Sequence, residues 1–210
     1  MIHKSNFNNM RHNKLFLKAF ALVLFFSVST LSFAQLQTPA PSPAASISQV
    51  VGFTKISIDY SSPAVKGRKV FGELEKYGTT WRAGANNPTI IEFSTPVSIA
   101  GKNLAAGKYS LFITPQESGD WTIHLNSKAN AIYAYMKDGK VDEAALAKDD
   151  ALAIKVAPIA APETFERLAY FISAEDNKVA SVTFMWADVM LTFMVDTQVD
   201  QKMQQFKGVF

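Results

Sequence analysis

The 210-residue sequence contains no cysteine. This absence excludes disulfides, thiolate metal sites, iron–sulfur clusters and cysteine nucleophiles. Charged residues are also few, at 19%, whereas 48% of the residues are apolar and 12% are aromatic. Such a composition is too apolar for a disordered chain and is sufficient for a hydrophobic core. The length fits one domain with at most a small appendage.

Basic residues are concentrated at the N-terminus. Residues 1–18 contain four basic residues and no acidic one, and an apolar run follows from Ala19 to Phe33. The run closes on a small-x-small pattern, Ser32-Phe33-Ala34, which is typical of a signal-peptide cleavage site. We therefore predict a signal peptide at residues 1–34 and an exported protein, periplasmic or extracellular. The run is too short for a comfortable membrane span, so no span is expected after cleavage; an uncleaved N-terminal anchor is the alternative.

The net charge of +3 depends on this segment, because the rest of the chain is close to neutral without it. Binding to phosphate backbones requires clustered lysine and arginine, so the sequence predicts no nucleic-acid partner. Two of the three histidines also lie in the segment, and His124 alone remains. One histidine without cysteine cannot form a typical zinc site, and no loop has EF-hand spacing. We predict no metal and no cofactor.

Hydrophobic patterning divides the rest of the chain. Residues 35–47 are rich in proline, alanine and serine, which is typical of a spacer. From residue 48 onward, apolar and polar residues alternate with period two between turn-forming residues. The stretches with this pattern are 55–60, 89–93, 97–99, 108–113, 121–125, 152–156, 165–172, 179–186 and 189–195. We predict an all-β domain over residues 48–196, an antiparallel β-sandwich of about eight or nine strands, with a barrel as the alternative.

Helical signals are sparse by comparison. Asp142 can cap a single short helix over the residues that follow it. Residues 197–210 lack clear alternation and are predicted to be a C-terminal tail or a short helix.

Several short segments follow one another in an order that is typical of a known family. They are 60–63 (YSSP), 65–72 (VKGRKVFG), 77–78 (YG), 81–86 (WRAGAN), 91–94 (IEFS), 101–104 (GKNL), 107–111 (GKYSL) and 121–123 (WTI). This order resembles the domain of unknown function 2911, a family of exported proteins frequent in Bacteroidetes-type genomes. The resemblance covers roughly residues 47–196, and its most specific part is WRAGAN. It implies an exported β-rich domain and carries no activity or catalytic residues.

The loop that begins at Trp81 is the leading candidate for a binding site. Its central glycine would admit an unusual backbone angle, while Arg82 and Asn86 present donors to an anionic or hydroxyl-rich ligand. Trp81 beside them could stack on a sugar ring. The alternative is a structural loop, with Trp81 in the core and Arg82 paired with Glu92 or Asp59.

The run Lys66-Gly67-Arg68-Lys69 is a second candidate. Three cations around a glycine could form a small anion site. The alternative is a solvated turn that protects a strand edge from aggregation. Because the run is close in sequence to Arg82, Arg68 joins the candidate ligand-binding residues.

His124 is the candidate acid or base. Alternation places it on the same strand face as Thr122 and Asn126. Histidine is the side-chain type whose unperturbed pKa suits proton transfer near neutral pH. However, the chain contains no Gly-x-Ser-x-Gly elbow, and an ordinary surface histidine is the alternative.

Three functions are compatible with these features of the sequence. The residues favour a non-catalytic binding module of the cell envelope, with a glycan, a small anion or an envelope protein as its ligand. A hydrolase with a cleft site is the second possibility; it would use His124 or a carboxylate pair. The carboxylates available for such a pair are Asp59, Glu73, Glu75 and Glu92. The third is a structural envelope component without a small-molecule site.

Overall fold

Strands dominate residues 38–207, the part of the chain that the computed structural model describes. The predicted signal peptide at 1–34 and the start of the predicted spacer lie outside the described residues. From Ala40 onward the chain forms one unit. Most of the sheet pairing is antiparallel, and the predicted all-β sandwich class is confirmed.

Twelve strands and two α-helices are assigned within the described residues. The strands are β1 (Ala44–Val51), β2 (Thr54–Ser61), β3 (Ile90–Phe93), β4 (Val97–Ile99), β5 (Lys102–Leu104), β6 (Gly107–Thr114), β7 (Trp121–Asn126), β8 (Met136–Lys137), β9 (Lys140–Val141), β10 (Asp150–Val156), β11 (Ile159–Ser173) and β12 (Val179–Asp196). The helices are α1 (Glu143–Asp149) and α2 (Val199–Phe206), and a 3₁₀ turn spans Ile132–Tyr135.

Two sheets face each other across the core. One has six strands in the order β1-β2-β3-β6-β7-β10, and the other has four in the order β11-β12-β4-β5. The register aligns buried residues across neighbouring strands of the larger sheet; Leu111 lies opposite Leu125, which lies opposite Leu152. The period-two alternation thus turns one apolar face of each sheet inward.

Aromatic rings fill the space between the sheets. Trp186 of β12 packs against Trp81, with ring centroids 5.5 Å apart, and Phe71 contacts Trp121 at 4.7 Å. All four side chains are buried. The indole N–H groups of Trp81 and Trp186 have no acceptor among the described residues, so packing rather than hydrogen bonding holds these two rings.

The long element β12 folds back on itself. The Thr183 and Thr192 hydroxyls lie 2.9 Å apart, and the Thr197 backbone N–H donates to the Lys178 carbonyl at 2.9 Å. These contacts place the two halves of β12 side by side, with the reversal at Ala187, whose φ is +52°. The two separate strands predicted at 179–186 and 189–195 correspond to these halves.

The N-terminal boundary of the domain differs from the predicted one. β1 begins at Ala44, inside the predicted 35–47 spacer, and pairs with β2 from Ala44 opposite Ser61 onward. Its first residues are small and largely exposed, so their sequence carries little strand signal. Backbone hydrogen bonds to β2 decide their conformation instead.

Helices agree with the sequence only in part. The helix predicted after Asp142 is α1, and the Asp142 carboxylate caps it by accepting from the Ala145 N–H at 3.0 Å. The predicted C-terminal segment contains a second helix, α2. None of the helices among residues 38–207 is long and apolar enough to span a membrane.

A smaller apolar cluster lies on the outer face of the six-stranded sheet. The chain between β7 and β10, residues 127–149, covers this face; we call it the 127–149 segment. Its buried side chains Ile132, Tyr135 and Leu146 pack on Phe112 of β6. This cluster fixes the position of the 3₁₀ turn and of α1 over the sheet.

The burial pattern predicts very different costs for two phenylalanines in adjacent strands. Phe184 is 2% exposed and contacts Trp81, whereas Phe171 is 53% exposed. We expect Phe184→Ala to lower the free energy of unfolding by about 3–5 kcal/mol because it leaves a cavity in the core. Phe171→Ala should change it by less than about 1 kcal/mol. Denaturant titration of both variants measures the difference; equal costs would contradict the assignment of the inner face.

Candidate functional site

Arg82 lies on the outer surface beside an exposed aromatic ring. Its guanidinium carbon is 5.1 Å from the centre of the Tyr133 ring, and its Nη1 donates to the Tyr133 hydroxyl at 2.7 Å. The same nitrogen donates to the Asn86 carbonyl at 3.1 Å. Tyr133 belongs to the 3₁₀ turn and is 62% exposed. The two side chains form a surface feature that we call the Arg82–Tyr133 surface.

Part of the Arg82 guanidinium has no partner. Its Nε and Nη2 make no hydrogen bond to any residue in the described part of the chain, and no carboxylate there lies within ion-pair distance. The ion pair with Glu92 or Asp59 that a structural loop would provide is therefore not formed; Glu92 instead faces Lys108 at 3.8 Å. Three charged N–H donors of Arg82 therefore have no partner among the described residues.

The structure places Trp81 in the core rather than beside Arg82 on the surface. Its backbone N–H donates to the Ile113 carbonyl at 2.9 Å, and the Ile113 N–H donates back at 3.0 Å. This bridge turns the indole inward and the side chain of Arg82 outward, as alternation along an extended chain requires. Trp81 is therefore unavailable for stacking on a sugar, and Tyr133, 52 residues later in the sequence, supplies the exposed ring.

The glycine of this loop has a different role from the predicted one. The residues with positive φ are Ala83 at +49° and Asn86 at +54°, and Gly84 is not among them. A methyl group on Gly84 would lie 2.5 Å from the Thr89 Oγ1 and 3.3 Å from the Ser61 carbonyl oxygen. Gly84 thus permits close packing of the loop on the sheet, not an unusual backbone angle.

Asn86 and Arg68 both lie close to Ser42, in the chain that precedes β1. The Asn86 amide donates to the Ser42 carbonyl at 2.9 Å. Ser42 also lines an open pocket of about 270 Å³ together with Lys66 and Arg68. Arg68 donates from Nη2 to the Ala64 carbonyl at 2.6 Å and from Nε to the Val65 carbonyl, so part of its guanidinium braces its own turn.

Glu75 is a perturbed carboxyl that the sequence did not distinguish from its neighbours. Burial raises its pKa from 4.5 to about 7, and the positive charges of Arg82 and Arg68 oppose this shift. Its carboxylate has no hydrogen-bond partner among the described residues, so solvation is lost without replacement. Arg68 and Arg82 therefore act electrostatically on the same carboxyl, that of Glu75.

His124 occupies the predicted face of β7 and belongs to a chain of polar contacts. Its Nδ1 lies 2.7 Å from Asp150 Oδ2, and its Nε2 lies 2.9 Å from Thr114 Oγ1. Thr114 Oγ1 is 2.5 Å from Thr80 Oγ1, and the Thr80 hydroxyl donates to Glu143 Oε2 at 2.6 Å. We call these five side chains the polar chain; nothing in their sequence spacing announces it.

A second set of contacts extends from the polar chain beneath the 127–149 segment. The Asn126 amide nitrogen lies 3.4 Å from Asp150 Oδ1. The Tyr135 hydroxyl lies 3.0 Å from Asn126 Oδ1 and 2.9 Å from Asp149 Oδ2, and its single hydrogen can be donated to either oxygen. Burial, and then the hydrogen bond to Asp149, raise the pKa of Tyr135 above its usual value. His124 is therefore part of an ordered network and not an isolated surface histidine.

The remaining candidate carboxylates do not join these sites. Asp59 lines another open pocket, of about 340 Å³, which is formed by β1, β2 and residues 87–88. Glu73 is exposed on the turn before Glu75. No group of three or more ligating side chains within residues 38–207 is arranged to hold a metal ion.

Comparison with protein families identifies the chain. A family model described as a protein of unknown function, DUF2911, matches residues 42–195. The chain belongs to the DUF2911 family. The match includes Arg68, Glu75, Arg82 and the whole polar chain, so both sites lie in the family domain. Comparisons with curated proteins and with solved structures find no match.

The raised pKa of Glu75 predicts a pH-dependent stability difference. The folded chain keeps the Glu75 proton between about pH 4.5 and pH 7, where the unfolded chain has lost it, so stability from this group falls as pH rises through that range. Glu75→Gln cannot ionise and should therefore become more stable than the unsubstituted protein above pH 7, by about 1–3 kcal/mol after allowance for solvent screening.

Thermal unfolding at several pH values measures this effect, and Glu73→Gln is the matched control. The control makes the same charge change two residues away on an exposed side chain. An equal pH dependence for both variants would show that Glu75 titrates normally.

Proposed function

We propose that this protein is an exported binding module of the bacterial envelope and that its ligand site is the Arg82–Tyr133 surface. Export to the periplasm or beyond is inferred from the signal-peptide pattern at residues 1–34. The ligand class is inferred from the donors and the ring at the surface. We propose an acidic glycan, that is, a sugar polymer that bears carboxylates.

The unpaired edge of the Arg82 guanidinium carries this proposal. An arginine with a purely structural role usually forms hydrogen bonds to a carboxylate or to several carbonyls. Arg82 donates through one nitrogen, Nη1, whereas its Nε and Nη2 have no partner among the described residues. These two nitrogens lie along one edge of the planar group, and their parallel N–H bonds match the two oxygens of a carboxylate.

Tyr133 supports the same ligand class. Its ring is largely exposed, and its hydroxyl and face orient Arg82 before any ligand arrives. Such preorganisation lowers the entropy that binding costs. An exposed aromatic ring beside planar hydrogen-bonding groups suits a sugar, which presents both an apolar face and hydroxyls.

The charges near Arg82 favour an anionic ligand over a neutral one. Arg68 adds a second positive charge, which acts on the same carboxyl, Glu75, as Arg82 does. Glu75 opposes an anion only when it is ionised. Because its pKa is about 7, we expect anion binding to weaken as pH rises through neutrality.

Titration calorimetry with tetragalacturonate, and with neutral galactotetraose for comparison, tests the proposal. We expect the acidic sugar to bind more tightly. Arg82→Lys keeps the charge but loses the planar edge, and it should weaken binding about 10-fold or more. Tyr133→Ala should weaken binding to both sugars.

The matched control is Lys102→Ala, which removes one positive charge from exposed β5 in the other sheet. It should bind like the unsubstituted protein. Unchanged affinity in Arg82→Lys, or equal affinity for the acidic and neutral sugars, would contradict the proposed site and ligand class.

A second candidate function is hydrolysis at His124. The arrangement of Thr114, His124 and Asp150 matches the geometry of a nucleophile, a base and an orienting carboxylate. In this reaction, Thr114 Oγ1 attacks the carbonyl carbon of an ester while its proton moves to His124 Nε2. The ester C–O bond then breaks, His124 returns the proton to the departing alcohol, and water finally releases the acyl group from Thr114 as a carboxylic acid. Thr114 is only 9% exposed, which restricts a substrate to small acyl groups.

Hydrolysis of p-nitrophenyl acetate tests this second candidate. Thr114→Val should reduce the rate about 1,000-fold or more if Thr114 is the nucleophile. Thr122→Val is the matched control. Thr122 lies on the same face of β7 as His124, but its hydroxyl accepts from Lys155 and does not contact the imidazole. Equal rates in the two variants would exclude Thr114 as a nucleophile.

A further inference from the structure

The polar chain contains more hydrogen-bond links than its ordinary protons can fill. Four contacts join Asp150 to His124, His124 to Thr114, Thr114 to Thr80 and Thr80 to Glu143, at 2.5–2.9 Å. Each contact needs one hydrogen between its two atoms. The two hydroxyls supply two hydrogens, and a neutral imidazole supplies a third. With both carboxylates ionised, one link is left without a hydrogen.

A fourth proton completes the chain. It can be carried by the second imidazole nitrogen, and every donor then points outward from His124 to a carboxylate at each end. It can equally be carried by Glu143, and the two hydroxyls then donate in the reverse direction toward His124 Nε2. Without it, two electronegative atoms face each other at hydrogen-bond distance and repel.

The polar chain also joins the 127–149 segment to the sheet. Thr80, Thr114 and His124 belong to the loop before Trp81, to β6 and to β7, whereas Glu143 is the first residue of α1. The Thr80 backbone N–H adds a bond to Glu143 Oε1 at 3.0 Å. Two residues later, Arg82 contacts Tyr133 of the same segment. Besides the apolar cluster on Phe112, the segment thus has polar attachments at α1 through Thr80 and at the 3₁₀ turn through Arg82.

We infer that the polar chain is a proton-dependent latch, which holds the 127–149 segment on the six-stranded sheet while it retains its fourth proton and loosens the segment when that proton is lost. The four links exist only in the folded chain, so only the folded chain requires this proton. The latch therefore contributes stability that is lost as pH rises.

Other titratable and charged groups adjoin the latch. Tyr135 of the 3₁₀ turn contacts both Asn126 and Asp149 of α1, and Lys155 of β10 donates to Thr122 beside His124. Each of them can add its own pH dependence. The test therefore compares variants that differ only in the proton count of the polar chain.

Glu143→Gln provides the missing hydrogen permanently. The amide nitrogen of glutamine donates to Thr80 Oγ1, its oxygen still accepts from the Thr80 N–H, and the chain is complete with a neutral imidazole. Thr80→Val removes the need for the fourth proton in another way. Only the links from Asp150 to His124 and from His124 to Thr114 remain, and the Thr114 hydroxyl and one imidazole N–H supply both hydrogens. Glu163→Gln is the matched control, with the same charge change on an exposed side chain of β11.

Thermal unfolding of the full-length chain between about pH 5 and pH 9 measures the latch. Glu143→Gln should melt within a degree or two of the unsubstituted protein at the acid end and roughly 2–6 °C above it at the alkaline end. Thr80→Val should show a flatter pH dependence than the unsubstituted protein, whereas Glu163→Gln should follow the unsubstituted protein throughout. A difference between Glu143→Gln and the unsubstituted protein that does not change with pH would overturn the inference.

Amide hydrogen exchange provides a local readout. At the alkaline end, after correction for the intrinsic pH dependence of exchange, α1 should exchange faster in the unsubstituted protein than in Glu143→Gln. Equal exchange of α1 in the two proteins would also overturn the inference.

One consequence rests on the proposed function. Because the 127–149 segment carries Tyr133, the latch would regulate the Arg82–Tyr133 surface, and acidic glycans would bind less tightly once the segment loosens. Neither the melting nor the exchange experiment uses a ligand. Failure of the glycan to bind would therefore refute the proposed function without affecting the latch, and a pH-independent stability difference would refute the latch without affecting glycan binding.

Discussion

The burial of Trp81 is the constraint on which both functional regions depend. Its ring packs between the two sheets against Trp186, and its backbone pairs with Ile113 of β6. Since neighbouring side chains of an extended chain point to opposite sides, this burial turns Thr80 and Arg82 outward together. Thr80 reaches Glu143, and Arg82 reaches Tyr133. One core residue thus positions two attachments of the 127–149 segment.

The two regions differ in how their polar groups are satisfied. In the polar chain every side chain has a partner within 2.9 Å, so what can change there is the number of bound protons. At the Arg82–Tyr133 surface the variable is a ligand, because Nε and Nη2 of Arg82 have no partner in the described part of the chain. A charged donor without a partner at the surface favours binding of a ligand. A contact without a hydrogen inside the polar chain favours uptake of a proton.

Sequence reasoning selected Arg82 and Asn86 as candidate ligand-binding residues because glycine and planar polar side chains are concentrated in one short loop. It placed His124 on the correct face of β7, since strand alternation is a local property. It did not find Tyr133 as the partner of Arg82, nor Glu143 as the far end of the polar chain. These contacts join residues 51 and 63 positions apart, and no period or spacing links them. For the same reason the sequence did not distinguish Glu75 from the other candidate carboxylates. Its raised pKa comes from burial, which its neighbours in sequence do not reveal.

Local chemistry in the sequence determined the strand content of this protein, the position of its first helix and the residue types of its candidate site. Alternation, turn residues and capping act over a few positions, and the all-β class follows from them. The tertiary structure alone decided that Trp81 lies in the core, that β1 begins inside the spacer and that β12 folds back on itself. It also decided which donors remain unpaired. Those outcomes depend on pairing and burial between distant segments, and these are properties of the folded chain as a whole.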